Sequence, residues 1–109
     1  KWRPNGEVIV YGAGTDENEK GYTETVYSRN NKYPKKGYGI PTIGKALDEI
    51  GNSITEFVSY AKSNPELRFH VRPVGYNKAG YTIEQIAPLF KEAAAVRNIL
   101  LPKEIVEIL

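Results

Sequence analysis

Between residues 47 and 72 the spacing of the apolar side chains changes from one period to another. Leu47, Ile50, Ile54, Phe57, Val58 and Ala61 recur at helical spacing, with Asp48, Glu49, Asn52, Ser53 and Glu56 turned to the other side. Asp48 and Glu49 in the first turn suit the helix dipole, and Ser63-Asn64-Pro65 ends the run. Leu67, Phe69 and Val71 then alternate with Arg68, His70 and Arg72, the period of a strand with one apolar face. A one-sided helix followed by a one-sided strand must bury both faces together, which predicts an α/β fold with its longest helix over residues 47–61.

The remaining segments extend this pattern. Glu7-Val8-Ile9-Val10-Tyr11 is nearly all apolar, as a central strand would be, and lies between Asn5-Gly6 and Gly12-Ala13-Gly14. Residues 12–39 are rich in Gly, Asn, Lys and Tyr, and read as a long irregular excursion with a short strand or helix around residues 23–27. Residues 38–42 read as a strand ending at Pro41. Thr82 and Gln85 form a capping box for a second helix, whose buried stripe is Ile83, Ile86, Ala87, Phe90 and Ala94. Pro88 should kink or divide that helix, because it removes a backbone donor. Residues 98–101 read as a last strand stopped at Pro102, and residues 103–109 as a closing helix with Ile105, Val106, Ile108 and Leu109. Strands alternating with helices imply a mixed, mainly parallel sheet flanked by helices in three layers. With 109 residues the chain has room for one core and one domain, 1–109.

Cysteine is absent, so no disulfide staples the fold and no thiolate serves as nucleophile or soft metal ligand. That is compatible with the cytoplasm. The chain opens at Lys1, and removal of an initiator methionine, with or without a targeting segment, is expected. No apolar run approaches the ~20 residues that cross a bilayer, so no membrane partner is expected.

The net charge of +2 is weak support for nucleic acid as a partner. Its distribution is uneven: Asp16, Glu17 and Glu19 form an acidic knot, and Arg29, Lys32, Lys35, Lys36 and Lys45 follow with no acid between Glu24 and Asp48. Such a lysine run is ordinarily a solvated loop, and its sharper reading is attraction of a phosphate-bearing ligand.

Ligands of open α/β sheets bind beyond the carboxyl ends of the strands. Two loops qualify. The first is Gly12-Ala13-Gly14-Thr15-Asp16. The second is Gly75-Tyr76-Asn77-Lys78-Ala79-Gly80-Tyr81, which leads into the Thr82 cap. Its glycines permit close backbone approach, the helix start favours an anion, and Lys78 adds charge. Tyr76 or Tyr81 offers a face to a base or ribose. Such a turn is about as often only a turn. Arg68, His70 and Arg72 share a strand face whose functional reading is a basic stripe lining a cleft and whose ordinary reading is the wetter face of an edge strand. His70 is the only histidine, which is poor support for a metal site or a triad. Trp2 reads as a packing anchor. Gly12-Ala13-Gly14 lacks the rest of a dinucleotide fingerprint.

Several segments together resemble a group of small, uncharacterised phage-related bacterial proteins. They are Pro4-Asn5-Gly6-Glu7-Val8-Ile9-Val10-Tyr11-Gly12, Gly39-Ile40-Pro41-Thr42, Val74-Gly75 with Ala79-Gly80-Tyr81, Ile86-Ala87-Pro88-Leu89-Phe90, and Asn98-Ile99-Leu100-Leu101-Pro102. That group is similar in turn to macro domains, which bind ADP-ribose and in some members hydrolyse it from proteins or nucleic acids. The resemblance implies a three-layer macro-like domain. It also implies that the phosphates of an ADP-ribose-like ligand lie against residues 75–81, with Gly12, Ala13, Gly14, Pro41 and Thr42 completing the cleft. The chain departs from the group in three places. Residues 15–20 are acidic rather than basic, Ile43 stands where a lysine is usual, and Gly75-Tyr76-Asn77 replaces Gly-Cys-Gly.

Residues 75–81 hold no carboxylate, histidine or thiol to activate water or attack a sugar carbon. The expectation is therefore a binding module without turnover, cofactor or metal, with Asp16 the acid best able to enter from the first loop. The alternative is a phage or mobile-element protein that docks a partner protein through a tyrosine-rich surface.

Overall fold

The computed structural model of the chain describes residues 7–12, 20–26, 35–72 and 80–109. Its strands are β1 (Glu7–Tyr11), β2 (Gly21–Val26), β3 (Lys35–Gly39), β4 (Arg68–Val71) and β5 (Ile99–Leu100). Its helices are α1 (Leu47–Ser63), α2 (Ile83–Ile86) and α3 (Lys103–Ile108), with 3-10 turns at Ala87–Phe90 and Ala93–Ala95. The strands form a mixed sheet in the order β2-β3-β1-β4-β5. β1 is parallel to β3 and β4, β4 is parallel to β5, and β2 is an antiparallel edge on β3. The central position expected for β1 and the mainly parallel sheet are both found.

The stretch between β1 and α1 is more regular than its composition suggests. It contains β2 and β3, paired through Tyr22↔Tyr38 and Gly21↔Gly39. The strand expected at 38–42 begins earlier, at Lys35, and its ladder ends with the Ile40 N–H on the Tyr11 carbonyl at 2.9 Å. Pro41 has no N–H to carry it further. The sequence Lys-Lys-Gly-Tyr-Gly has no apolar alternation, so only its neighbours on both sides define it as a strand.

Register explains the core. Val8 lies opposite Phe69, Phe69 opposite Ile99, and Val10 opposite both Tyr38 and Val71, so these side chains share one face of the sheet. All are buried, in one cluster with Ile50, Ile54, Phe57, Val58 and Ala61 of α1, and with Ile86, Phe90, Ala93 and Ile105. Phe57 sits at its centre, 5.1 Å from the Tyr38 ring and 5.3 Å from the Phe69 ring. The connections β3 to β4 and β4 to β5 cross the sheet in the same direction. Right-handed crossovers in one direction put their helices on one face, and among the described residues every helix does contribute to this single cluster. The opposite face carries Glu7, Ile9, Tyr11, Arg68 and His70, which are half-buried or exposed. β4 lies between β1 and β5 rather than at an edge, a correction to the edge-strand reading of Arg68, His70 and Arg72.

The helices follow their local signals, with two phase errors. Thr82 caps α2: its hydroxyl accepts the Gln85 N–H at 3.2 Å, and Gln85 Oε1 accepts the Thr82 N–H at 2.9 Å. Pro88 divides the segment as expected, and the chain continues in 3-10 turns. The tighter 3-10 pitch places Ala93, three residues after Phe90, in the core and turns Ala94 outward. Ser53 of α1, expected to face solvent, is only 9% exposed. In α3 Ile105 is buried, whereas Val106, Ile108 and Leu109 are exposed.

Candidate functional site

Because β1, β3, β4 and β5 are parallel, their carboxyl ends share one edge of the sheet, where an open α/β sheet offers a crevice. Two backbone bonds hold the chain exits around the end of β1. Ile40 N–H donates to the Tyr11 carbonyl, and Arg72 N–H donates to the Val10 carbonyl, each at 2.9 Å. Gly12 and Pro41 are buried there, and Thr42 is 1% exposed. Among the described residues the Thr42 hydroxyl has no hydrogen-bond partner. A buried hydroxyl without a partner costs about 1–3 kcal/mol, so it needs an explanation.

The exit of β3 then turns into α1. Lys45 N–H donates to the Thr42 carbonyl at 3.1 Å, and Gly44 takes a φ of +78°, a region that favours glycine. Glu49 Oε1 accepts the Ala46 N–H at 2.8 Å, and Asp48 Oδ1 accepts the Glu49 N–H at 2.9 Å. These carboxylates occupy the N-cap donor and one donor of the first helical turn.

The exit of β4 returns to the described residues at Gly80, whose φ of +92° again favours glycine. The next residue closes the site: the Tyr81 hydroxyl donates to the Lys45 carbonyl at 2.5 Å. Of the residues expected to bind a ligand, Gly12, Pro41, Thr42, Gly80 and Tyr81 thus lie along one edge. Tyr81 reaches it with its hydroxyl committed to the protein and its ring partly packed on the core. Ala13, Gly14, Gly75, Tyr76, Asn77, Lys78 and Ala79 lie outside the described residues, as do Trp2, Asp16, Glu17, Glu19, Arg29 and Lys32.

Sequence reasoning missed a cavity of about 350 Å³ beside α1, lined by Lys20, Lys45, Glu49, Asn52, Ser53 and Glu56. Glu49, Asn52, Ser53 and Glu56 are one stripe of α1 at i, i+3, i+4 and i+7, assigned from periodicity to solvent. Lys20, the residue before β2, also lines it, with Nζ 3.1 Å from Glu56 Oε1. An all-polar helical stripe facing a lysine from a distant segment was the available signal.

The other candidates resolve into structural pairs. His70 Nε2 is hydrogen-bonded to Glu7 Oε1 across neighbouring strands. Among the described residues no group of three or more His, Cys, Asp or Glu is placed to hold a metal ion. No helix among them is long and apolar enough to cross a membrane. Tyr38, in the core near Glu56, has its phenol pushed up to about 12, chiefly by burial and then by the charges of Glu56 and Tyr60. The chain matches no known protein family, no curated protein and no solved structure.

Proposed function

We propose that the domain binds a phosphate-bearing nucleotide derivative, with ADP-ribose-like molecules the first to try, in the crevice at the carboxyl edge of its sheet. One observation carries this reading. The exits of two parallel strands that flank β1 are tied together at that edge by the Tyr81–Lys45 hydrogen bond. A crevice built from two anchored exits holds its shape before a ligand arrives, which lowers the ordering cost of binding. The buried Thr42 hydroxyl beside it, without a hydrogen-bond partner among the described residues, supports the same reading. Calorimetry against ADP-ribose, NAD and adenosine tests it. Saturable heat with ADP-ribose that weakens in Thr42→Val is expected, and silence across the panel ends the reading.

Binding without turnover belongs to this proposal. Incubation with ADP-ribosylated protein should release nothing that mass spectrometry detects, and catalytic release would overturn that part. The three-layer, macro-like arrangement also belongs to it, and requires a cover over the face of Ile9 and Tyr11. Nuclear Overhauser contacts from the Ile9 methyls to a helix would support the cover, and their absence would remove it. A cytoplasmic location is proposed on the lack of cysteine, and fractionation of the producing cell tests it.

A second reading, docking to a partner protein, is favoured by one observation. Leu100 of β5 and Val106, Ile108 and Leu109 from the closing segment are all substantially exposed. Loss of a captured partner on Val106→Glu, with ADP-ribose heat absent, would favour this reading over the first.

A further inference from the structure

We infer that the cavity beside α1 is a subsite for a neutral polyhydroxyl group, a sugar of pentose or hexose size. It uses α1, Lys20 and Lys45 rather than the crevice residues Gly12, Thr42 and Gly80; only Lys45 borders both sites, its carbonyl holding Tyr81, and the subsite stands whether or not the crevice takes a nucleotide. The cavity volume of about 350 Å³ falls at the small end of ligand pockets, roughly 300–1,000 Å³.

The lining chemistry selects the class. Two lysines face two glutamates, so the wall carries no net charge, and Lys20 is already paired with Glu56. A phosphate entering here would meet both carboxylates. A divalent cation would find only two acids, and Glu49 is engaged by the Ala46 N–H and Glu56 by Lys20. A nucleobase would find no aromatic or branched aliphatic side chain to stack on.

What the wall does supply is donors and acceptors in alternation. Asn52 brings both a carbonyl and an amide, and Ser53 brings a hydroxyl, flanked by ammonium and carboxylate groups. Sugar hydroxyls are themselves donor and acceptor, and match such a wall where a simple ion does not. Ser53 supplies the second, independent observation. It is nine-tenths buried, lines the cavity, and among the described residues its hydroxyl has no hydrogen-bond partner.

The test is an amide-resolved NMR titration of the whole chain with D-ribose and D-glucose, with inorganic phosphate and glycine as counter-probes. Saturable shifts in the millimolar range at Lys20, Asn52, Ser53 and Glu56, produced by either sugar and not by phosphate or glycine, are the expected result. Ser53→Ala and Asn52→Ala should each weaken sugar binding by about tenfold, the equivalent of one lost hydrogen bond. Both substitutions favour helix, so their folding is secure, and the unchanged dispersion of the spectrum verifies it. No saturable shift with either sugar overturns the inference. So does a stronger response to phosphate or glycine, or undiminished sugar binding in both variants. A silent crevice in the ADP-ribose calorimetry leaves these outcomes as they are, so the two proposals fail separately.

Discussion

The hydroxyl of Tyr81 donates to the backbone carbonyl of Lys45 at 2.5 Å, joining the turn that opens α2 to the turn that opens α1. Thirty-six residues separate the two in sequence, so this bond closes a long loop at the carboxyl edge. Tyr81→Phe keeps the ring on the core and deletes the bond. Its stability should fall by about 1 kcal/mol, the usual net worth of one hydrogen bond. On the proposed function, ADP-ribose affinity should fall several-fold, because the crevice then pays for its own ordering. Urea unfolding and calorimetry on the same variant check both, and an unchanged affinity would separate the bond from the site.

Thr42→Val tests the buried hydroxyl. The replacement conserves shape and removes a polar group that lacks a partner among the described residues. Stability should therefore rise, by about 1 kcal/mol, while ligand affinity drops. A stability loss of similar size would mean that the hydroxyl is satisfied within the protein, and would remove its support for the crevice.

Asn98 is the clasp at the other end of the sheet. Its side-chain NH2 lies within hydrogen-bond distance of the carbonyls of Ala61, Asn64 and Leu67, at 2.9, 3.1 and 3.0 Å, while its backbone carbonyl accepts the Phe69 N–H at 2.7 Å. The Asn98 side chain thus shares its two amide protons among three carbonyls at the end of α1 and the turn after it, two of which also accept backbone N–H groups. Asn98→Ala should cost about 2–3 kcal/mol and lower the melting temperature by roughly 10 °C or more. Thermal unfolding followed by circular dichroism reads this directly, and a shift under about 2 °C would show that water replaces the clasp.

Tyr38 makes a prediction about alkaline pH. Its folded pKa is raised to about 12 from the ordinary tyrosine value of 10.0, so the folded state holds the phenol proton more tightly than the unfolded state. Stability from this group is complete below pH 10 and is lost as pH rises towards 12. The whole effect is on the order of 2–3 kcal/mol. Tyr38→Phe should flatten the decline in denaturant midpoint across that window. An equally steep decline in the variant would place its origin in other groups.

Much of the fold was legible because its determinants are local. The stripe from Ile50 to Ala61, the Thr82–Gln85 cap, the break at Pro88 and the alternation of Phe69 and Val71 each depend on residues within about a turn of one another. Five of the expected ligand residues, Gly12, Pro41, Thr42, Gly80 and Tyr81, did fall on one edge, because parallel strands must end together. Other features depend on partners far along the chain. β3 is a strand because β1 and β2 pair with both its sides, although Lys-Lys-Gly-Tyr-Gly carries no strand period of its own. Glu7 meets His70 across 63 residues because β1 and β4 are neighbours, an order that only strand pairing in the folded sheet decides. Ser53 reads as a solvent residue on the helix wheel, but the fold buries it in the wall of a cavity that Lys20, from a distant segment, also lines. Periodicity tells a residue which way to face on its own element. What stands opposite is decided when loops close and strands choose their neighbours.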